Sequence, residues 1–129
     1  MIEFSTGYVD QVAVAPPLAP LEQPIDLAHL ARMTLGERSL EREVLQLFDR
    51  QAAMLLTRMR QSCPAVVAAC AHTLKGSARG IGAWRVASAA EAVEFAAAAT
   101  GSEFDSVLTS LGIYVDEVRR VIADLLRAH

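Results

Sequence analysis

Toward the end of the chain, Phe104, Leu108, Leu111, Val115, Val118, Ile122 and Leu125 recur at spacings of 4, 3, 4, 3, 4 and 3 residues. A helix brings residues three and four apart onto one side, so these seven form one unbroken apolar seam. Such a seam can pair two chains as a coiled coil or be buried inside one. With four amphipathic segments in the sequence, internal burial is the better solution. Ser102 followed by Asp105 is a start signal for this helix, and Gly112 interrupts its interior without an evident cause.

Three further helical periods precede it. From about Glu37 or Ser39 to Gln61, Val44, Leu47, Phe48, Leu55 and Met59 form a core stripe, with Arg42, Gln46, Arg50 and Arg58 largely off it. The next runs from Pro64, a favoured first helical residue, to the glycines Gly80 and Gly82. A fourth, from Ala83 to about Ala99, carries Val86, Ala90, Val93 and Ala97 as its seam, with Gly101 as a stop. A short helix comes before all of these, with Asp26 as N-cap, Leu27, Leu30 and Ala31 as its apolar side, and Gly36 just beyond. Residues 1–24 hold Pro16, Pro17, Pro20 and Pro24 and show no helical period. They predict an extended arm on which Ile2, Phe4, Tyr8 and Val12 are available for packing. The expectation is an all-α fold: an antiparallel up-down four-helix bundle over residues 25–129 with a short N-terminal capping helix, and a Pro-rich arm over 1–24.

Composition narrows the function classes. A chain of 129 residues suits one domain. A formal charge of −3 leaves no basic footprint, which argues against nucleic acid as a partner. No apolar run approaches the length of a membrane span, and Met1-Ile2-Glu3 lacks the positive start of a signal peptide. Cys63 and Cys70, on one helix, would lie ~10 Å apart, too far for a disulfide. These features predict a cytoplasmic protein with reduced thiols.

The third helical segment carries the candidate chemistry. With His72 at zero on a helical wheel, Val67, Cys70, Leu74, Ser77 and Ile81 fall within roughly 40° of the opposite pole. Ala65, Ala68, Ala69, Lys75, Gly76 and Arg79 surround His72 on its own side. Burying His72 would turn the Val67/Cys70/Leu74 face outward, so the imidazole is expected in solvent. Gly76, one turn on, costs about 1 kcal/mol relative to Ala in a helix interior, and no helix end accounts for it. A glycine beside an exposed imidazole lets another molecule approach the backbone. Lys75 is within side-chain reach of anything attached to the ring. A nucleophile, a clearing and a cation suggest a site for a transferred anion.

His72-Thr73-Leu74-Lys75-Gly76-Ser77-Ala78, followed by Ile81-Gly82-Ala83, resembles the signature of histidine-containing phosphotransfer (HPt) domains. The resemblance extends over about residues 25–127 and implies a four-helix bundle that carries phosphoryl groups between aspartates of receiver domains. It implies that His72 is the phosphoacceptor, that Lys75 neutralises phosphoryl charge with Arg79 assisting, and that Gly76 gives steric clearance. Ala65, Ala68, Ala69 and Arg79 would belong to the partner-binding surface. The expected partners are receivers of hybrid histidine kinases and response regulators, with the protein itself a monomer. No cofactor of its own is expected; magnesium would come on the receiver.

Several rivals fit less well. Histidine-kinase dimerisation domains resemble a pattern with an acidic residue after the histidine, whereas Thr73 stands here, and no ATP-binding segment fits. The expected role is a phosphotransfer intermediate without autokinase activity. Chemotaxis-kinase phosphotransfer domains often carry a further histidine on the next helix near a glutamate; Ala90-Glu91 stands there instead. A metal-binding bundle would need Glu-x-x-His pairs, which are lacking, and Asp26 with His29 is half a site at best. The alternative from another class is an interaction bundle that binds receivers without relaying phosphate. Ser77 is expected to make a structural hydrogen bond, and Trp84 to pack.

Overall fold

The structure, a computed structural model, describes residues 23–99 and 103–128. The expected arm up to residue 22, and the Gly101 stop and Ser102 start signals, lie outside the described residues. Within them the chain is helical and without strands: α1 (Leu27–Met33), α2 (Arg38–Met59), α3 (Pro64–Ile81), α4 (Trp84–Ala98) and α5 (Phe104–Ala128). Of the four long helices, α3, α4 and α5 each pack against the one before. α3 packs between α2 and α4, and α5 closes the bundle against α4 and α2.

The α5 seam is buried internally. Leu111, Val115, Val118 and Ile122 are almost wholly buried, while Phe104, Leu108 and Leu125 pack half-buried at its ends. In the same core cluster lie Val86, Ala90 and Val93 of α4 and Val67, Leu74 and Ala78 of α3. Each fully buried Val or Leu contributes on the order of 1.5–3 kcal/mol. Arg119 of α5 donates to Asp49 of α2 at 2.7 Å, and Arg42 of α2 donates to the Leu126 carbonyl at 2.9 Å. Arg85 of α4 pairs with Glu117 of α5 and stands 5.2 Å from the Tyr114 ring centroid.

Three sequence expectations are corrected. Leu47 is 58% exposed rather than core. The buried side of α2 centres on Ala52, with Leu45, Phe48, Leu55, Leu56 and Met59 around it, and Leu47 lies roughly 140° away. On α1, Leu30 is buried while Leu27 and Ala31 are exposed, because seven residues offer one contact point to the bundle. Finally, Gly80 is helical and α3 runs on to Ile81. Gly82 ends it, in the left-handed region at φ 79°, as helix-terminating glycines do. A Cβ on Gly112 would come within 2.9 Å of the Arg60 guanidinium, the far end of an exposed, flexible side chain that can move aside, so this contact does not by itself require the glycine.

α1 is fastened to the α3–α4 turn. The Asp26 amide donates to the Gly82 carbonyl at 2.8 Å. Its carboxylate accepts from the His29 amide and the Trp84 indole, each at 3.1 Å. The Trp84 indole, followed by the His29 amide, holds the Asp26 carboxyl below its ordinary range. His29 Nε2 lies 2.9 Å from the Arg79 carbonyl, and its ring meets the Trp84 ring edge-on at 4.8 Å. His29 and Trp84 are thus structural ties, fixing the end of the helix that carries His72.

Candidate functional site

α3 has one apolar and one open side because its sequence alternates them at helical spacing. Val67, Cys70, Ala71, Leu74, Ala78 and Ile81 are buried, and the opposite face carries His72 with its side chain 68% exposed. Pro64 opens the helix and Gly82 closes it, so the imidazole stands mid-way along a rigid rod. Ser77, on the border, donates to Gln51 of α2 at 2.7 Å. That bond fixes the rotation of α3 about its own axis.

The residue that sequence reasoning missed is Glu94. One of its carboxylate oxygens lies 3.1 Å from His72 Nδ1, and the other accepts from Lys75 Nζ at 3.0 Å. A carboxylate can only accept, so when the ring is neutral Nδ1 carries the proton and Nε2 keeps its lone pair, on a side chain that is largely exposed. The Lys75 hydrogen bond, reinforced by Lys75's charge and by His72, holds the Glu94 carboxyl below its ordinary range. Lys75 is therefore not the free surface cation its position suggests: its side chain is 13% exposed and latched to Glu94. A signal was present. Glu94 lies one residue from Val93 and four from Ala90, at the border of the apolar seam of α4, where a carboxylate needs a partner.

The other expected site residues are found as follows. A Cβ on Gly76 would meet nothing within 4 Å, so the glycine leaves open space beside the imidazole. Ala65 and Ala69 are exposed and Ala68 is half-buried. Arg79 is exposed in the last turn of α3, where a cation also suits the negative end of the helix dipole. It is seven residues from His72, ~10 Å along the axis. The structure brings together His72, Lys75 and Glu94, with Gly76 alongside, and leaves Arg79 apart. Toward α2 the surface continues through a shallow hollow of about 330 Å³ lined by Leu55, Arg58, Ala65, Ala69 and Thr73. On α2, Leu40, Leu47 and Met54 are exposed by 37%, 58% and 59% at seven-residue intervals. Among the described residues, no group of three or more His, Cys, Asp or Glu could hold a metal ion. None of the described helices is long and apolar enough to cross a membrane.

Residues 43–128 match the family described as Hpt domain. The chain belongs to the Hpt domain family. The matched stretch runs from within α2 to the end of α5 and includes His72, Lys75, Gly76 and Glu94. Hpt domains act in histidine phosphotransfer within phosphorelays, where they interact with receiver domains. No curated protein and no solved structure matches the chain.

Proposed function

We propose that this Hpt domain accepts a phosphoryl group on His72 from a receiver aspartate and passes it to the aspartate of a second receiver. The observation that carries this reading is the outward-facing imidazole whose Nδ1 is engaged by Glu94, leaving Nε2 as the nucleophile. In the forward step the Nε2 lone pair attacks phosphorus. The P–O bond of the aspartyl phosphate breaks, and the receiver carboxylate leaves with the bonding electrons. The ring becomes cationic while Nδ1 keeps its proton, and the Glu94 carboxylate offsets that charge. The reverse sequence delivers the group to the next receiver.

Lys75 supports the phosphoryl state. Its ammonium is held by Glu94 at rest, and an incoming dianion competes for it from one turn away. Gly76 gives the receiver room, and Ala65, Ala68 and Ala69 supply a low-relief surface beside it, with Arg79 at the margin. Phosphoryl transfer rests on positioning and charge neutralisation. Magnesium belongs to the receiver in this scheme, and the Hpt domain contributes a rigidly held nucleophile. The protein works as a cytoplasmic monomer, an intermediate without autokinase activity.

Incubation with radiolabelled phosphorylated receivers tests the proposal. Acid-labile, alkali-stable label that is absent from His72→Gln supports it. Binding of receivers without label supports a non-relaying interaction bundle instead.

A further inference from the structure

Phe95 is 73% exposed, and among the described residues it is the one aromatic side chain standing in solvent. Nothing in the bundle requires it there: the buried side of α4 is formed by Val86, Ala89, Ala90 and Val93, and Phe95 lies roughly 140° around the helix from Ala90. Its position relative to the phosphoacceptor is close. Phe95 directly follows Glu94, whose carboxylate reaches both His72 and Lys75. It forms a ridge between two hollows. One, of about 290 Å³, is lined by Lys75, Glu91, Glu94 and Ala98 as well as Phe95. The other, of about 390 Å³, lies toward α5 and is walled by Ala92, Ala96 and Phe104.

We infer that Phe95 is an anchor of the receiver-docking surface and helps to set which receivers are served. This rests on the proposed relay at His72 and extends its surface from α2 and α3 across to α4. Size requires contact there. A standard interface of ~800 Å² per partner is a disc of about 16 Å radius, and one centred on His72 Nε2 covers the residue next to Glu94. On the other neighbour of α3, α2, Leu47 and Met54 are exposed as well, so the helix that carries the nucleophile has an exposed apolar side chain on the helices to both sides. A phenyl ring that projects alone from such a surface is suited to enter a recess on the partner, as buried aromatic anchors do. Glu91 on the same rim favours a basic side chain beside that recess. The occupant is therefore a receiver with an apolar recess and a flanking cation near its phosphorylated aspartate.

The test uses the full chain and two phosphoryl donors. Phosphoramidate labels an accessible histidine without docking: its P–N bond breaks, a bond forms from phosphorus to Nε2, and ammonia leaves. A phosphorylated receiver must dock. The quantity read is receiver-driven labelling, as kcat/KM, divided by the phosphoramidate-driven rate. For Phe95→Ala this ratio is expected to fall about 5- to 30-fold, through KM rather than the saturated rate, and unequally across a panel of receivers. Phe95→Glu should fall further. Because the side chain is exposed, both variants should keep the wild-type melting temperature to within a few degrees. A ratio equal to that of wild type in both variants overturns the inference. So does a wild type that sediments as a dimer and becomes monomeric in Phe95→Glu with the ratio unchanged, since the ring then serves a second copy. Failure of the relay itself is distinguishable: wild type then takes label from phosphoramidate but from no receiver, which removes both readings.

Discussion

Gly76 separates a glycine required by the fold from one required by a partner. A Cβ added there meets no atom within 4 Å, and the residue lies inside the regular helix α3. Gly76→Ala therefore loses no contact and creates no clash. It gains the helix-propensity difference, about 0.5–1 kcal/mol, which for a chain of this size raises the melting temperature by about 2–4 °C. Gly76→Leu retains most of that gain, since leucine is nearly as good a helix former as alanine. Its effect on transfer is the opposite, because the added side chain fills the space that a receiver must enter next to His72. Overfilling a close-packed contact costs about 1–3 kcal/mol, which lowers kcat/KM for phosphoryl transfer roughly 5- to 150-fold. Thermal unfolding followed by circular dichroism gives the first quantity, and rapid-quench transfer from a phosphorylated receiver gives the second. The reasoning fails on stability if Gly76→Ala melts several degrees lower. It fails on function if Gly76→Leu transfers at the wild-type rate.

Three other outcomes follow from the geometry. Glu94→Ala removes the partner of both Nδ1 and Lys75 and should slow receiver-driven labelling severalfold in single-turnover kinetics; an unchanged or faster rate would remove its positioning role. Gly82→Ala places a Cβ 2.9 Å from the Asp26 carbonyl oxygen at a residue with φ 79°. Strain of about 1–2 kcal/mol and the clash with backbone should together cost about 2–4 kcal/mol in urea unfolding, with altered Trp84 fluorescence as α1 is displaced; wild-type stability would contradict the α1 docking. The pH dependence of the latch follows from the lowered carboxyl of Glu94. A group depressed in the folded state contributes stability above its ordinary value of 4.5, and that contribution is lost as pH falls through the folded value. The Glu94–Lys75 bond should hold from neutral pH to about 5 and open only below the ordinary carboxylate range. Carboxyl carbon shifts in NMR report it directly, and a Glu94 midpoint above 4.5 would contradict the latch.

Much of this was legible in the sequence where periodicity alone decides. The seven-membered seam of α5 and the two-sided character of α3 come from spacing, and burial follows spacing closely in long helices. Leu47 was misplaced because α2 has two apolar rows. One is centred on Ala52 and faces the core, while Leu40, Leu47 and Met54 form an outer row, and a one-dimensional pattern does not rank them. Asp26, His29 and Trp84 were legible singly, but their mutual fastening depends on how the α3–α4 turn meets α1, which no local pattern contains. The same holds at the site. His72, Lys75 and Gly76 sit within five residues of one another, so one helical wheel relates them. Glu94 reaches the imidazole from 22 residues away on another helix, and only the packing of α4 on α3 brings it there.

The central claim is a phosphoryl bond to Nε2 of His72. Site mapping of the protein after incubation with a phosphorylated receiver, with phosphorus NMR to distinguish the two ring nitrogens, tests it most directly. The account predicts one phosphohistidine, at His72 and on Nε2, that disappears in His72→Gln. Label on His29, on Nδ1 of His72, or on no histidine would contradict it.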